Sequence, residues 1–524
     1  MSKKIRMKRK LLIINSLLLL FCGCSTRYYE KSADKEVNRI LKEKKEKIER
    51  EIPAEFLNDN TSSETIILTL KKSLILGAKN NKEYKSRKED VYLKILDLTY
   101  ERYLYRLRYG MGGNIYWKKN GDERLEGEMN FTLIKFLKTG AQVTFNIAED
   151  FLKYLTGNKE KDLKTILSLN IFQPLFKGAG RKIAQEQLIQ AERDVVYEIR
   201  DFLRYQEDFS IQVAEKFFNL LLLKKNVENY WNNYNFLKKT RERIEMLSAA
   251  GRIPPLQVDQ ARQNEYRAYQ MWLTALNNYN SSLDEFKILL GLSPSAKISV
   301  KSEELNTFLK EGIPPIKINL DEFLKIALKK RLDLMTAFDK IEDAKRKVVV
   351  ARNNLKTELN LNVNVEDEVN KLGKLSYEVG FDFEFPVDKI SERNEYKRRL
   401  IELEREKRNF ELKKDRIKQE VYDSYRNLQE AYNRYIIEKE SLSLAERRVE
   451  SVNLLLQAGR ATTRDLLEAQ EAYLFAKNSL VSAVVKYLVS YLKFLRSADL
   501  IEIDENGIWK GDLYEKINFE NIKK

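Results

Sequence analysis

Histidine is absent from the 524 residues, and cysteine occurs only at Cys22 and Cys24, both inside an apolar segment at the amino terminus. The first absence removes the usual general base and the commonest metal ligand together. The second leaves the folded body without a thiol nucleophile, a zinc site or a disulfide framework. Acidic residues remain, but they fall where alternation or heptad spacing already accounts for them. No enzyme, metal or cofactor is therefore expected. Proline and glycine are scarce, at 8 and 19 residues, while 33% of residues are charged. That composition leans towards long helices or coiled coil.

What is present begins with a leader. Lys3, Lys4, Arg6, Lys8, Arg9 and Lys10 precede an eleven-residue apolar run, Leu11 to Phe21. The run is too short for a spanning helix, which needs about 20 residues, and has signal-peptide proportions. Leu20-Phe21-Cys22-Gly23-Cys24-Ser25 resembles a bacterial lipobox, which makes Cys24 the expected site of lipid (palmitate) attachment and residues 1–23 the signal peptide. Ser25 lacks the Asp that resembles an inner-membrane retention signal, so a lipid-anchored place in the outer membrane of a Gram-negative bacterium is expected. The net charge of +16 comes from interleaved Lys and Glu that solvate helix faces, and export argues against a nucleic-acid partner.

The chain then repeats itself. Residues 250–291 and 458–499 align without a gap. Ala250-Gly251-Arg252 matches Ala458-Gly459-Arg460, and Ala261, Ala268 and Ala275 match Ala469, Ala476 and Ala483. Heptad-spaced alanines keep one narrow stripe towards a partner helix and permit close approach. Before each stripe lies a long helical pattern, with apolar residues at Val195, Ile199, Phe202, Phe209, Val213, Phe217 and onward, and again from Leu403 to Val452. Seventy-odd residues predict a rod of roughly 110 Å, which needs neighbouring helices to bury its stripe. Gly251 and Gly459 stop the rods, so each repeat ends in a helical hairpin with its tip at Ala-Gly-Arg.

Upstream of the second rod the period switches to two. Glu358 to Glu366 and Tyr377 to Phe385 alternate polar and apolar residues and read as a hairpin. Their length suits a tilted strand crossing a bilayer. On that reading Leu359, Leu361, Val363, Val365, Val379, Phe381 and Phe383 face lipid, while Glu358, Glu366, Glu378, Asp382 and Glu384 face a lumen. A less regular pair is expected at about 140–149 and 164–174. Four strands cannot enclose a pore, so three chains supplying twelve are required.

These features together are similar to the TolC-like outer-membrane efflux protein family, over roughly residues 64–499. The duplicated tips carry the resemblance, with Leu289-Leu290-Gly291, Arg331-Leu332-Asp333-Leu334 and Gln173 to Arg181 in support. It implies a mainly α fold with transmembrane β: a homotrimeric twelve-strand barrel in outer-membrane lipid, continuing into an α-helical tunnel in the periplasm. It further implies a periplasmic adaptor protein holding the tips, Ala250, Gly251, Arg252, Ala458, Gly459 and Arg460, and an inner-membrane pump that delivers cargo. Asp465 occupies a position of the family's periplasmic gate, with Glu468 beside it; its counterpart in the first copy is Gln257, and Asp465 would equally cap the returning helix. The expected plan is a lead-in at 24–63, a first repeat at 64–291 with its helical hairpin at 178–291, and a connecting segment at 292–331. A second repeat at 332–499 follows, with strands at about 357–366 and 376–386 and a hairpin at 388–498, then a tail at 500–524. The function implied is a passive exit duct of a tripartite efflux or type I secretion system. A coiled-coil envelope lipoprotein without a pore is the alternative, and it leaves the strand pairs without a purpose.

Overall fold

The computed structural model describes residues 31–39, 66–120, 122–154, 162–316, 318–369, 375–504 and 507–510. The expected signal peptide, Cys24, most of the lead-in and the end of the tail lie outside the described residues. A helix at 31–39 (α1) is followed by β1 (Ile66–Leu68), α2 (Leu70–Asn80), α3 (Lys82–Leu104), β2 (Arg108–Asn120), β3 (Asp122–Phe136), β4 (Gln142–Tyr154) and β5 (Asp162–Pro174). Then come α4 (Arg181–Ala184), α5 (Glu186–Ala249), α6 (Pro255–Leu289), β6 (Ile298–Val300), α7 (Glu303–Glu311), α8 (Leu320–Lys330) and α9 (Leu332–Asn354). The chain closes with β7 (Glu358–Glu368), β8 (Leu375–Glu384), α10 (Ile390–Gln457) and α11 (Thr463–Arg496). The two long helices have 64 and 68 residues, without an internal proline.

The duplication is visible element by element. The pair α2 and α3, of 11 and 23 residues with Asn81 alone between them, recurs as α8 and α9, of 11 and 23 residues with Arg331 alone between them. The hairpin α5–α6 recurs as α10–α11. Between helix pair and helical hairpin, however, the first copy has four strands and the second has two. The four-strand expectation is corrected here: β4 and β5 match the expected first pair and β7 and β8 the second, but β2 and β3 form a further hairpin. All six make one antiparallel sheet in the order β2-β3-β4-β5-β7-β8. The expected count of twelve strands for three chains rested on four strands each, whereas the sheet of one chain has six.

Two compact units divide these elements. One gathers residues 31–39, Asp90–Glu198 and Asp343–Ile401 and holds the whole sheet. There α1 rests on α3, with Tyr92 donating to Asp34 at 2.5 Å and Arg106 pairing with Glu36 at 3.1 Å. Buried Asp343 gathers Arg193 at 2.5 Å, Arg346 at 2.9 Å and the Tyr197 hydroxyl at 2.7 Å.

The other unit comprises residues 66–89, Ile199–Glu342 and 402–510 and contains the main apolar core. Phe217, Phe218, Phe286, Phe323, Tyr487, Tyr491 and Phe494 are fully enclosed there. The expected alanine stripes are buried, with Ala261, Ala268, Ala469, Ala476 and Ala483 all at 3% exposure or less. The connecting segment contributes β6, which pairs in parallel with β1, and α7 and α8. Trp509, from the tail, is also buried and donates to Ser210 at 2.8 Å.

Each repeat ends on the helix joint that begins its copy. Asn81 donates to the Leu289 carbonyl at 2.9 Å, and the equivalent Arg331 donates to the Ser497 carbonyl at 3.1 Å. Past each carbonyl the chain turns through a left-handed residue, Gly291 at φ 69° and Asp499 at φ 49°. Glycine is required at the first, since a Cβ would lie 2.5 Å from the Asn80 backbone. Aspartate is held at the second because its carboxylate accepts from Leu332 N at 2.9 Å and pairs with Arg204 at 2.7 Å. Arg331, 2% exposed, grips Asp333 with two nitrogens at 3.0 and 2.9 Å and reaches Glu420 at 2.6 Å. Burial opposes the charge of Asp333, but bonds from Arg331 and the nearby Arg204 and Lys413 hold its carboxyl far below the usual carboxylate range.

Glu207 is less well served. It is 8% exposed, and one carboxylate oxygen has no hydrogen-bond partner among the described residues. Burial first, and the charge of Asp499 second, push its pKa up to about 8. The folded state therefore holds a proton that the unfolded chain releases near pH 4.5, so stability falls as pH rises from about 4.5 to 8 and then levels. Glu207→Gln is expected to flatten that decline in thermal midpoints measured from pH 5 to 8.5. Parallel declines in variant and parent would show that another group is responsible.

Candidate functional site: a two-faced sheet and paired helical tips

The sheet is built by alternation, and its register sorts side chains onto two faces. One row crosses all six strands through Tyr109, Leu133, Phe145, Leu169, Val365 and Tyr377. The next rows on that face include Val143, Ile171, Val363 and Val379, then Leu361 and Phe381, then Leu359 and Phe383. All seven residues expected to face lipid thus share one face. Among the described residues nothing forms a core against it. No large apolar side chain of β2–β5 or β7–β8 is buried among the described residues, and Val379, Phe381 and Phe383 are 60% exposed or more. The buried side chain of β7 is a polar one, Asn360.

The opposite face carries all five acidic residues singled out from the sequence. Glu358 lies opposite Glu384, Asp382 opposite Asn360, Glu378 opposite Asn364, and Glu366 opposite Ser376. Their setting is more neutral than the second copy's sequence alone suggests. Thr132 donates to Asn146 at 3.0 Å, Asn170 donates to Asn364 at 3.0 Å, and Asn362 donates to Asp382. Amides and hydroxyls therefore bridge neighbouring strands across this face, with the singled-out acids confined to β7 and β8. Glu358 is further tied to Asn360 at 3.1 Å and Lys177 at 3.3 Å.

The tips lie in the other unit and are two copies of one backbone device. Arg252 N donates to the Leu247 carbonyl at 2.9 Å and Gly251 N to the Ser248 carbonyl at 2.9 Å. Arg460 and Gly459 do the same to Leu455 and Leu456, at 2.8 and 3.1 Å. Both glycines sit at φ 70°, with open space where a Cβ would be. Ala250, Gly251, Arg252, Ala458, Gly459 and Arg460 are all exposed. Thr463 donates to Gln257 at 2.9 Å, which brings the starts of α6 and α11 together.

Asp465 is engaged locally. It and Thr462 form a reciprocal capping box at the start of α11: its carboxylate accepts from Thr462 N at 2.8 Å, and Thr462 Oγ1 accepts from Asp465 N at 3.3 Å. The hydrogen bonds from Thr462 hold its carboxyl below the usual value. Glu468 is exposed and pairs with Arg448 at 2.7 Å.

No protein-family model matches the chain, and no curated protein sequence matches it. Solved structures do. The outer membrane protein VceC of Vibrio cholerae matches with TM-score 0.61 at 15% identity, covering 82% of this chain and 95% of its own. The CmeC outer membrane channel of Campylobacter jejuni matches at 0.58 and 15%, covering 90% and 97%. The open state of the MtrE outer membrane channel of Neisseria gonorrhoeae matches at 0.58 and 11%, covering 86% and 97%. The chain shares the fold of these outer-membrane proteins.

Removing the capping box by Thr462→Ala is expected to cost roughly 1 kcal/mol locally. That converts to about five-fold faster amide hydrogen exchange in the first turn of α11. Unchanged exchange there would mean that Asp465 is not held by the cap and is free for another role.

Proposed function

We propose that this protein is the subunit of an outer-membrane exit duct, a passive conduit that catalyses no reaction. The observation that carries this reading is the six-stranded sheet with an apolar row on every strand and, among the described residues, no core packed against it. An apolar face of that extent calls for a non-aqueous neighbour. A closed antiparallel barrel places apolar side chains towards lipid and polar ones towards a lumen while leaving no unpaired edge. Here the opposite face, with its bridged amides, hydroxyls and carboxylates, suits a water-filled lumen. The fold likeness to VceC, CmeC and MtrE supports the same reading, as does a leader with a lipobox-like end at Cys24.

In this reading the protein works as a homotrimer anchored by lipid at Cys24. The sheet lies in the outer membrane and the helical hairpins reach into the periplasm. An adaptor protein holds the exposed tips, and an inner-membrane pump delivers the cargo of an efflux or secretion system. The duplicated tip turn is an exposed, repeated feature of the kind that an adaptor can grip. Asp465, at the capped start of α11, and Glu468, paired with Arg448, are the acids that would stand at a periplasmic gate.

The two faces of β8 give the test. Phe381→Lys places a charge towards lipid, at a cost of roughly 2–4 kcal/mol near the bilayer middle. It is expected to deplete the protein from outer-membrane fractions. Asp382→Lys, one residue away on the other face, is expected to assemble normally. Equal assembly of both variants would overturn the membrane assignment of the sheet.

A further inference from the structure

Both edges of the sheet, β2 and β8, lack a hydrogen-bonded neighbour among the described residues. Long apolar edges of this kind pair with another chain unless something covers them. Both are also the most exposed strands. On β2, Tyr109, Met111 and Ile115 are 65–76% exposed, and on β8 Tyr377 reaches 79%. The two edges are complementary in three respects.

The first is direction. The sheet has an even number of strands, each antiparallel to the next. A copy of β2 laid beside β8 therefore continues the antiparallel order. The second is side-chain pattern. Tyr109 and Tyr377 lie on the same face, so the apolar face continues from copy to copy. The third is charge. Arg108, at the start of β2, lies on the face that carries Asp382 and Glu384 at the end of β8, and antiparallel pairing brings those two ends together. Arg108 Nε is buried yet has no hydrogen-bond partner among the described residues.

We propose, building on the exit-duct reading, that β8 of one copy pairs with β2 of the next and that the β2–β3 hairpin is part of the barrel wall. Three copies of a six-stranded sheet then close a ring of eighteen strands, because a head-to-tail contact forms a closed ring when its rotation permits. The strands suit a wall, since β2 and β3 have 13 and 15 residues, against 13 in β4 and β5. Gly113 lets β2 lie close against β3, where a Cβ would come within 2.7 Å of the Glu128 carbonyl oxygen. Barrel diameter grows about linearly with strand number, so the lumen is roughly half again as wide as that of twelve strands.

Disulfide trapping in outer-membrane fractions of cells making the full-length protein tests this. One set of variants carries a cysteine on β2, at Tyr109 or Met111, together with one on β8, at Val379 or Phe381. A second set pairs the same β8 positions with Val143 or Phe145 on β4. The proposal expects dimer and trimer bands from the first set that single-cysteine controls lack, and none from the second. Bands from the second set alone would overturn it: the hairpin would lie off the wall and β4 would form the seam, with the duct itself intact. An absence of bands from both sets would overturn the closed duct along with the eighteen-stranded wall.

Discussion

An apolar sheet face with no core against it is the constraint on which the rest of this structure depends. In a water-soluble domain such a face is covered by a second layer of helix or sheet. Here, among the described residues, the side chains that would ordinarily make a core are only partly covered on the inner strands and largely exposed on β2 and β8. Cross-strand pairing settles the backbone, and alternation settles which atoms meet which medium. The sequence of β7 and β8 is legible on this basis alone, since polar and apolar residues alternate without interruption from Glu358 to Glu366. The same constraint sets the composition of the other face. Amides and hydroxyls satisfy one another across strands, so that face is wet without being strongly charged throughout.

The helical unit answers a different demand. Helices of 64 and 68 residues cannot be stabilised by their own propensity and need partners along their length. Alanine stripes let the returning helices approach, and large aromatics fill the core where the stripes end. Each repeat is then closed by the same contact, a side chain between two short helices reaching a carbonyl past the end of the returning helix. Asn81 does this modestly. Arg331 does it with a buried charge, which explains why Asp333, Glu420, Arg204 and Asp499 cluster around it. A buried Arg331 that lost Asp333 or Glu420 would be left without part of its compensating charge. The Arg331-Leu332-Asp333 motif that stands out in the sequence is thus the centre of a joint.

Much of the architecture was legible because its periods are clean. The rods, tips, alanine stripes and four of the six strands follow from spacing, and their observed bounds differ from the expected ones by a few residues. The β2–β3 hairpin was not legible by the same rule. Gly110, Gly112 and Gly113 interrupt the alternation of β2, and charged residues crowd its far end. The dipeptide Asn120-Gly121 between the two runs was the available signal, since Asn-Gly favours tight hairpin turns. The role of Asp465 was ambiguous for a physical reason: an acid three residues after a threonine at a helix start reads equally as a cap or as a lining charge. The structure shows the cap. The tips are exposed turns, but exposure alone names no partner.

Electron microscopy of the protein extracted by detergent from outer-membrane fractions tests the central claim most directly. The account predicts a threefold particle with a hollow barrel at one end and a hollow helical stalk. A thin solid rod, or a soluble monomer, would contradict it: the apolar face would then be covered by some other means, and the chain would not be a duct.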